Sequence, residues 1–226
     1  MSDIITNLER IQHQISQASE KSGRTPDSVQ LLAVSKTYPS EIIQQAYDAG
    51  QIHFGENRVQ EALDKIPQLP PEIDWHLIGH LQKNKVRKVL PVCSWIHSVD
   101  SLKLAEGINR IAGELNQKAK IYLQVNISHD EAKFGFSPSE VHQSLDQLQA
   151  MDHLHIEGLM TIPEFSDDIE KTRPHFTALR ELRDKLKKDS DLLLPGLSMG
   201  MSHDFTVAIE EGATIVRVGS AIFGKR

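Results

Sequence analysis

Leu31-Leu32-Ala33-Val34-Ser35-Lys36 decides how the rest of the chain is read. Five apolar or small residues run into one lysine, and Thr37-Tyr38-Pro39 break the run before a helical pattern begins. Period-two alternation puts Leu32, Val34 and Lys36 on one face, and Leu31, Ala33 and Ser35 on the other. If this strand belongs to a closed barrel, Lys36 points into the barrel mouth. Partial desolvation there favours a neutral amine, which can attack a carbonyl carbon to form an imine. The plain alternative is a strand-end lysine whose head reaches back to water, and the stretch taken alone favours it.

Outward from that stretch, strand and helix patterns alternate. An amphipathic helix comes first, with Ile4, Leu8, Ile11, Ile15 and Ala18 on one face and Lys21-Ser22-Gly23 as its stop. The patterning predicts strands at roughly 29–36, 52–54, 75–78, 95–99, 120–127, 154–160, within 192–198 and at 214–218. It predicts helices at roughly 39–49, 57–66, 82–90 and 169–188, one starting at Asp100 or Ser101, and one opened by the capping box Ser137-Pro138-Ser139-Glu140. A last helix is capped by Ser202 and ends at Gly212. Strict alternation calls for parallel strands, and eight of them favour a single (β/α)8 barrel domain over 1–226. The first helix would cover the gap between the last strand and the first. An open doubly wound sheet is the alternative, but no glycine-rich fingerprint follows the first strand.

The 226 residues carry 39% hydrophobic residues and a formal charge of −6, enough for one sizeable core and wrong for a general nucleic-acid binder. No signal peptide or run of membrane length is present, so no membrane partner is expected. Cys93 is the only cysteine. It rules out an intrachain disulfide, fits a cytoplasmic location, and reads as a small buried residue.

In a barrel of this kind the chemistry sits at the carboxyl edge of the strands. Nearly every strand delivers a polar group there: Lys36, Asn57, His80, Asp100, Asn126, Thr161, Ser198 and Arg217. His153-Leu154-His155 has a metal-like spacing but lies at the opposite edge, so no metal is expected. Leu197-Ser198-Met199-Gly200-Met201-Ser202 reads as a loop after the seventh strand that opens a helix, and Val218-Gly219-Ser220 follows the eighth. Loops in these two places commonly cradle phosphate. Arg217 in a central strand needs a partner for its charge, either a buried carboxylate or a ligand acceptor such as a ring nitrogen. The basic run Lys83, Lys85, Arg87 and Lys88 reads as a solvated helix face.

An imine-forming lysine, a phosphate cradle and an arginine for a ring nitrogen describe a pyridoxal phosphate (PLP) site. The segments AVSK, FGENRVQE, WHLIGHLQKNK, KFGF, GLMTIPE and LSMGMSHDFTVAIEEGATIVRVGSAIFG resemble the pyridoxal phosphate homeostasis proteins, a family similar to the barrel domain of alanine racemase standing alone. The resemblance covers essentially the whole chain. It implies that Lys36 carries PLP as an internal aldimine, that Asn57 lies beside the cofactor, and that Arg217 faces the pyridine nitrogen. It implies phosphate contacts from Ser198, Met199, Ser202, Gly219 and Ser220.

The family is regarded as buffering or delivering PLP, with effects on vitamin B6 and amino-acid pools and without an established reaction. That implies PLP-dependent apoenzymes as acceptors. An arginine at the ring nitrogen weakens the cofactor as an electron sink. Racemisation also needs a second acid/base, which alanine racemases take as a tyrosine from an additional domain. Here the chain ends soon after Val218, and the tyrosines are Tyr38, Tyr47 and Tyr122. A monomer without turnover is therefore expected. A PLP-dependent, racemase-like enzyme and a cofactor-free Schiff-base aldolase remain the alternatives.

Overall fold

Strand β1 (Gln30–Val34) is hydrogen-bonded to its neighbours on both sides, as its nearly continuous apolar run requires. The computed structural model describes residues 4–128, 130 and 133–224. Along the chain come α1 (Ile4–Lys21), β1, α2 (Ser40–Asp48), β2 (His53–Glu56), α3 (Val59–Lys65), β3 (Asp74–Leu77), α4 (Val86–Val89), β4 (Trp95–Val99) and α5 (Leu102–Glu114). They are followed by β5 (Ala119–Gln124), α6 (Pro138–Gln143), α7 (Leu145–Gln149), β6 (Leu154–Met160), α8 (Arg173–Asp189), β7 (Gly196–Met201), α9 (Phe205–Glu210), β8 (Ile215–Val218) and α10 (Ser220–Phe223). The strands pair in sequence order, all parallel, and β8 returns to β1 to close the barrel. Leu32 lies opposite Arg217, and Ala33 opposite Val218.

The predicted barrel is therefore the observed one. Helix α1 buries Ile4, Leu8, Ile11, Ile15 and Ala18 and packs against α9 and α10. Asn7 donates to the Ile222 carbonyl at 2.8 Å, which ties α1 to the last turn. Ser101 caps α5, and Ser137 with Glu140 forms the expected capping box on α6, each cap stabilising by about 1 kcal/mol.

Several boundaries differ from the sequence reading for local reasons. Strand β7 does not start near Leu192. Leu194 has φ +40° and Pro195 lacks an N–H, so the ladder begins at Gly196. It then runs on to Met201, which pairs with Arg217. Strand β5 stops at Gln124, because Asn126 donates its N–H to Phe136 and the chain folds back on itself. Ser202 does not cap a helix; Asp204 occupies that position at α9, and the Ser202 hydroxyl is used elsewhere. The basic run is a 3-10 turn (Lys83–Lys85) followed by the single turn of α4.

Two cores result. The larger lies between strands and helices. The smaller fills the barrel interior with Leu32, Val34, Ile78, Tyr122, Met160 and Ile215. The rest of the interior is polar, with His76, His97, Ser198 and Arg217 all buried. Cys93 is buried, and burial, with Glu56 and Asp74 nearby, pushes its thiol up to about 12, so it packs rather than reacts. Among the described residues no helix is long and apolar enough to cross a membrane.

Candidate functional site

The carboxyl ends of the strands surround a cavity of about 650 Å³. Lys36, Asn57, Ser202, Arg217, Gly219 and Ser220 line it, so six of the eight residues expected from the sequence meet there. Ser198 and Met199 do not. Because β7 extends to Met201, both are strand residues with buried side chains, Met199 in the outer core and Ser198 beneath Arg217.

Lys36 follows β1 by two residues, and both of its neighbours are tied down. The Ser35 hydroxyl donates to Glu56 Oε1 at 2.7 Å. Lys65 Nζ donates to the Ser35 carbonyl and to Glu56 Oε1, each at 3.0 Å. On the other side the Thr37 N–H donates to Glu61, which is also paired with Lys65. Thr37 itself sits at φ +69°, a left-handed conformation that an unsupported threonine avoids. Burial pushes the Glu56 carboxyl up, and the bonds from Ser35 and Lys65 only partly offset it. No local pattern signals this clamp, because Glu56, Glu61 and Lys65 read as a helix start and its solvated face.

Arg217 is held from inside the barrel. Its NH1 group donates to the Ser198 carbonyl at 2.6 Å and to Ser198 Oγ at 2.8 Å. Its NH2 group donates to the Thr161 carbonyl at 2.8 Å. None of these acceptors is charged, so the carboxylate pairing open at the sequence level is not what satisfies it. Burial lowers its pKa to about 10, which still leaves it cationic at neutral pH.

Ser202 organises the wall between these groups. Its Oγ accepts from the Gly219 N–H at 3.1 Å, which brings the ends of β7 and β8 together. Gly200, at φ +91°, lets β7 turn here. A Cβ at Gly219 would press on Val34, 3.1 Å from its carbonyl oxygen, so glycine keeps the wall low beside β1. On the far rim His80 stacks on Phe134, with ring centroids 4.0 Å apart, and bonds to Asp100 at 3.0 Å. Phe134, Ile162 and Phe165 leave an exposed apolar rim.

Among the described residues, His153 and His155 are not part of a cluster of potential metal ligands. Among the described residues the one grouping of three donor atoms within 4.8 Å is His53, Asp74 and His76, at the opposite end of the barrel. There Trp95 Nε1 already donates to Asp74 Oδ2 at 3.0 Å.

The family description "Alanine racemase, N-terminal domain" matches residues 6–226. The pyridoxal phosphate homeostasis protein of Aquifex aeolicus is 43% identical over 220 residues, 97% of this chain and 96% of that one. The structure of PipY from Synechococcus elongatus with PLP bound is similar, with TM-score 0.85 and 44% identity over 93% of this chain and all of that one. Alanine racemase of Clostridium difficile shares the fold at 16% identity and TM-score 0.78, over all of this chain and 57% of its own.

Proposed function

We propose a function on one premise: the chain belongs to the alanine racemase N-terminal domain family and, within it, to the pyridoxal phosphate homeostasis proteins. It binds PLP in the barrel mouth and acts in PLP homeostasis, holding the cofactor and releasing it to PLP-dependent apoenzymes. A monomeric, cytoplasmic protein is the form in which we expect it to act. One observation carries the reading. Lys36, Arg217 and the Ser202–Gly219–Ser220 wall face a single cavity, and its size suits a small cofactor.

The residues present fit the group. When bound, PLP supplies an aldehyde that a primary amine can capture. Lys36 offers that amine, from a backbone that the clamp keeps in place. Ser202, Gly219 and Ser220 form the phosphate wall, and Asn57 flanks the ring. Arg217 can only donate hydrogen bonds. Facing the ring nitrogen, it keeps that atom unprotonated and limits its capacity to take up electrons. Ser198 acts by holding Arg217, and Met199 by packing β7 against the helices.

Catalysis would need a group that moves a proton on the substrate side. No tyrosine lines the cavity among the described residues. Tyr38 donates to the Gly224 carbonyl at 2.7 Å and packs on Phe223, and Tyr122 is buried below the mouth. This supports binding without turnover. His80 and His203 do line the cavity, so a racemase-like activity is the reading to test against.

Purified protein incubated with PLP should turn yellow, and borohydride should bleach it and leave pyridoxyl mass on Lys36. Lys36→Ala should abolish that adduct. A protein that PLP cannot colour would sink the proposal. Repeated turnover on a panel of amino acids, lost in Lys36→Ala, would replace it with the enzymatic reading.

A further inference from the structure

A file of polar side chains threads the barrel interior from the mouth to the opposite end. Arg217 NH1 donates to Ser198 Oγ at 2.8 Å, and Ser198 Oγ meets His97 Nδ1 at 2.8 Å. His97 Nε2 meets His76 Nδ1 at 2.9 Å. His76 Nε2 lies 3.5 Å from Asp74 Oδ2, which also takes the Trp95 bond and lies 3.3 Å from His53 Nδ1. His76, His97 and Ser198 are fully buried, whereas Asp74 and His53 are partly exposed at the amino end.

The proton positions follow from the two ends. Arginine has donors only, so Ser198 Oγ accepts from it. The serine proton then has one acceptor within reach among the described residues, His97 Nδ1. Turned anywhere else it would be a buried, unpaired donor. His97 is fully buried, and burial keeps its ring neutral, so its single proton is on Nε2 and goes to His76 Nδ1. His76, held neutral first by burial, then carries its proton on Nε2, facing the Asp74 carboxylate. Burial works against ionisation of Asp74, but the facing His53, His76 and Ser94 outweigh it and hold the carboxyl below its usual range. Every donor therefore points from the arginine cation towards the carboxylate. Both rings are also fixed in place. His76 stacks flat on Trp95 at an interplanar angle of 2°, and His97 packs on Tyr122 with centroids 4.6 Å apart. The other charges facing the file are the buried Asp204, which acts on Arg217 at the mouth, Glu157 beside Tyr122, and Lys120, whose Nζ sits over Trp95.

We infer that Ser198, His97 and His76 are positioning residues that align Arg217 for the cofactor ring and couple it to Asp74, a second carboxylate at the far end of the barrel beyond the nearer Asp204. Two neutral imidazoles span the interior, His97 bonded through both nitrogens and His76 through Nδ1, with its Nε2 facing Asp74 Oδ2 at 3.5 Å. Removing the Asp74 charge, or breaking the file, makes the mouth more positive around Arg217. A protonated lysine-linked cofactor is then harder to keep. This coupling rests on the PLP reading above; the proton arrangement does not.

The test has two arms. In the unmodified chain without cofactor, ¹⁵N–¹H NMR of the imidazoles should find His97 and His76 as neutral Nε2–H tautomers from pH 5 to 8. A proton on His97 Nδ1, or titration of either ring in that range, would overturn the inference even if PLP never bound. With PLP loaded, the absorbance of the lysine-linked cofactor should be titrated. Asp74→Asn should lower its pH midpoint by roughly 0.5 unit, and in a His97→Phe background the same change should shift nothing. An equal shift in both backgrounds would mean a through-space charge effect and refute the coupling. Failure to bind PLP would count against the proposed function, while the imidazole tautomers would still decide the proton arrangement.

Discussion

The residues around Lys36 and the side chain of Arg217 serve one cavity but are secured by different physics. Around Lys36, at the end of β1, the work is done from outside the barrel by an ion network. Lys65 bridges Glu56, Glu61 and the Ser35 carbonyl, and Glu61 takes the Thr37 N–H. At β8 the work is done from inside, by two backbone carbonyls and a hydroxyl backed by neutral imidazoles. The first arrangement leaves a bare buried charge when one member is lost. The second leaves only neutral acceptors. On the proposed reading Lys36 presents an amine to the cavity, and the backbone on either side of it is fixed. Arginine has to present a fixed direction, so the guanidinium itself is held.

The largest expected effect breaks the outer network. Lys65→Met strands Glu56, whose side chain is fully buried, and should cost about 3–5 kcal/mol of stability in urea unfolding near neutral pH. The Glu56 carboxyl already titrates above its ordinary range. A carboxyl raised in the folded state favours folding at low pH and loses that contribution as pH rises through its folded value. The penalty of Lys65→Met should therefore be smaller at pH 5 than at pH 8.

Arg217→Met sharpens the contrast. It removes a cation that is bonded only to neutral acceptors, and Asp204 loses a nearby charge rather than a bonded partner, so about 1–2 kcal/mol of stability should be lost in the same assay, while cofactor retention falls far more. A loss as large as that of Lys65→Met would mean that the interior depends on the arginine charge rather than on its hydrogen bonds.

The smallest effect concerns the far end of the interior file. Asp74 is held below the usual carboxylate range when folded, despite its burial, so its contribution is present above the ordinary value of 3.8 and lost as pH falls through and below it. Asp74→Asn should flatten the acid limb of a stability-against-pH curve by lowering stability at pH 8 by about 1 kcal/mol, with the two curves converging as pH falls well below 3.8. An unchanged acid limb would show that other carboxylates set it.

The barrel was legible because periodicity is a local property. Apolar runs, helix faces and caps such as Ser101 and Ser137 identify elements one at a time, and strict alternation leaves few ways to pair parallel strands. Lys36, Arg217, Gly219 and Ser220 were legible because a strand's carboxyl end can be counted along the chain. Ser198 and Met199 were misplaced for the same kind of reason. Glycine and serine after an apolar run read as a loop, and only pairing with β8 draws Gly196–Met201 into a strand.

What the sequence determined by itself is the order of elements and which residues reach the carboxyl edge, since both follow from spacing along one chain. Tertiary structure alone decided what holds them. The contacts of Lys65 with Ser35 join residues 30 apart, and those of Ser198 with His97 join residues 101 apart. Closure of β8 on β1 is what puts Arg217 and Lys36 around one cavity. A buried polar group must find its partner wherever the closed barrel brings one, and that partner carries no mark in the sequence around it.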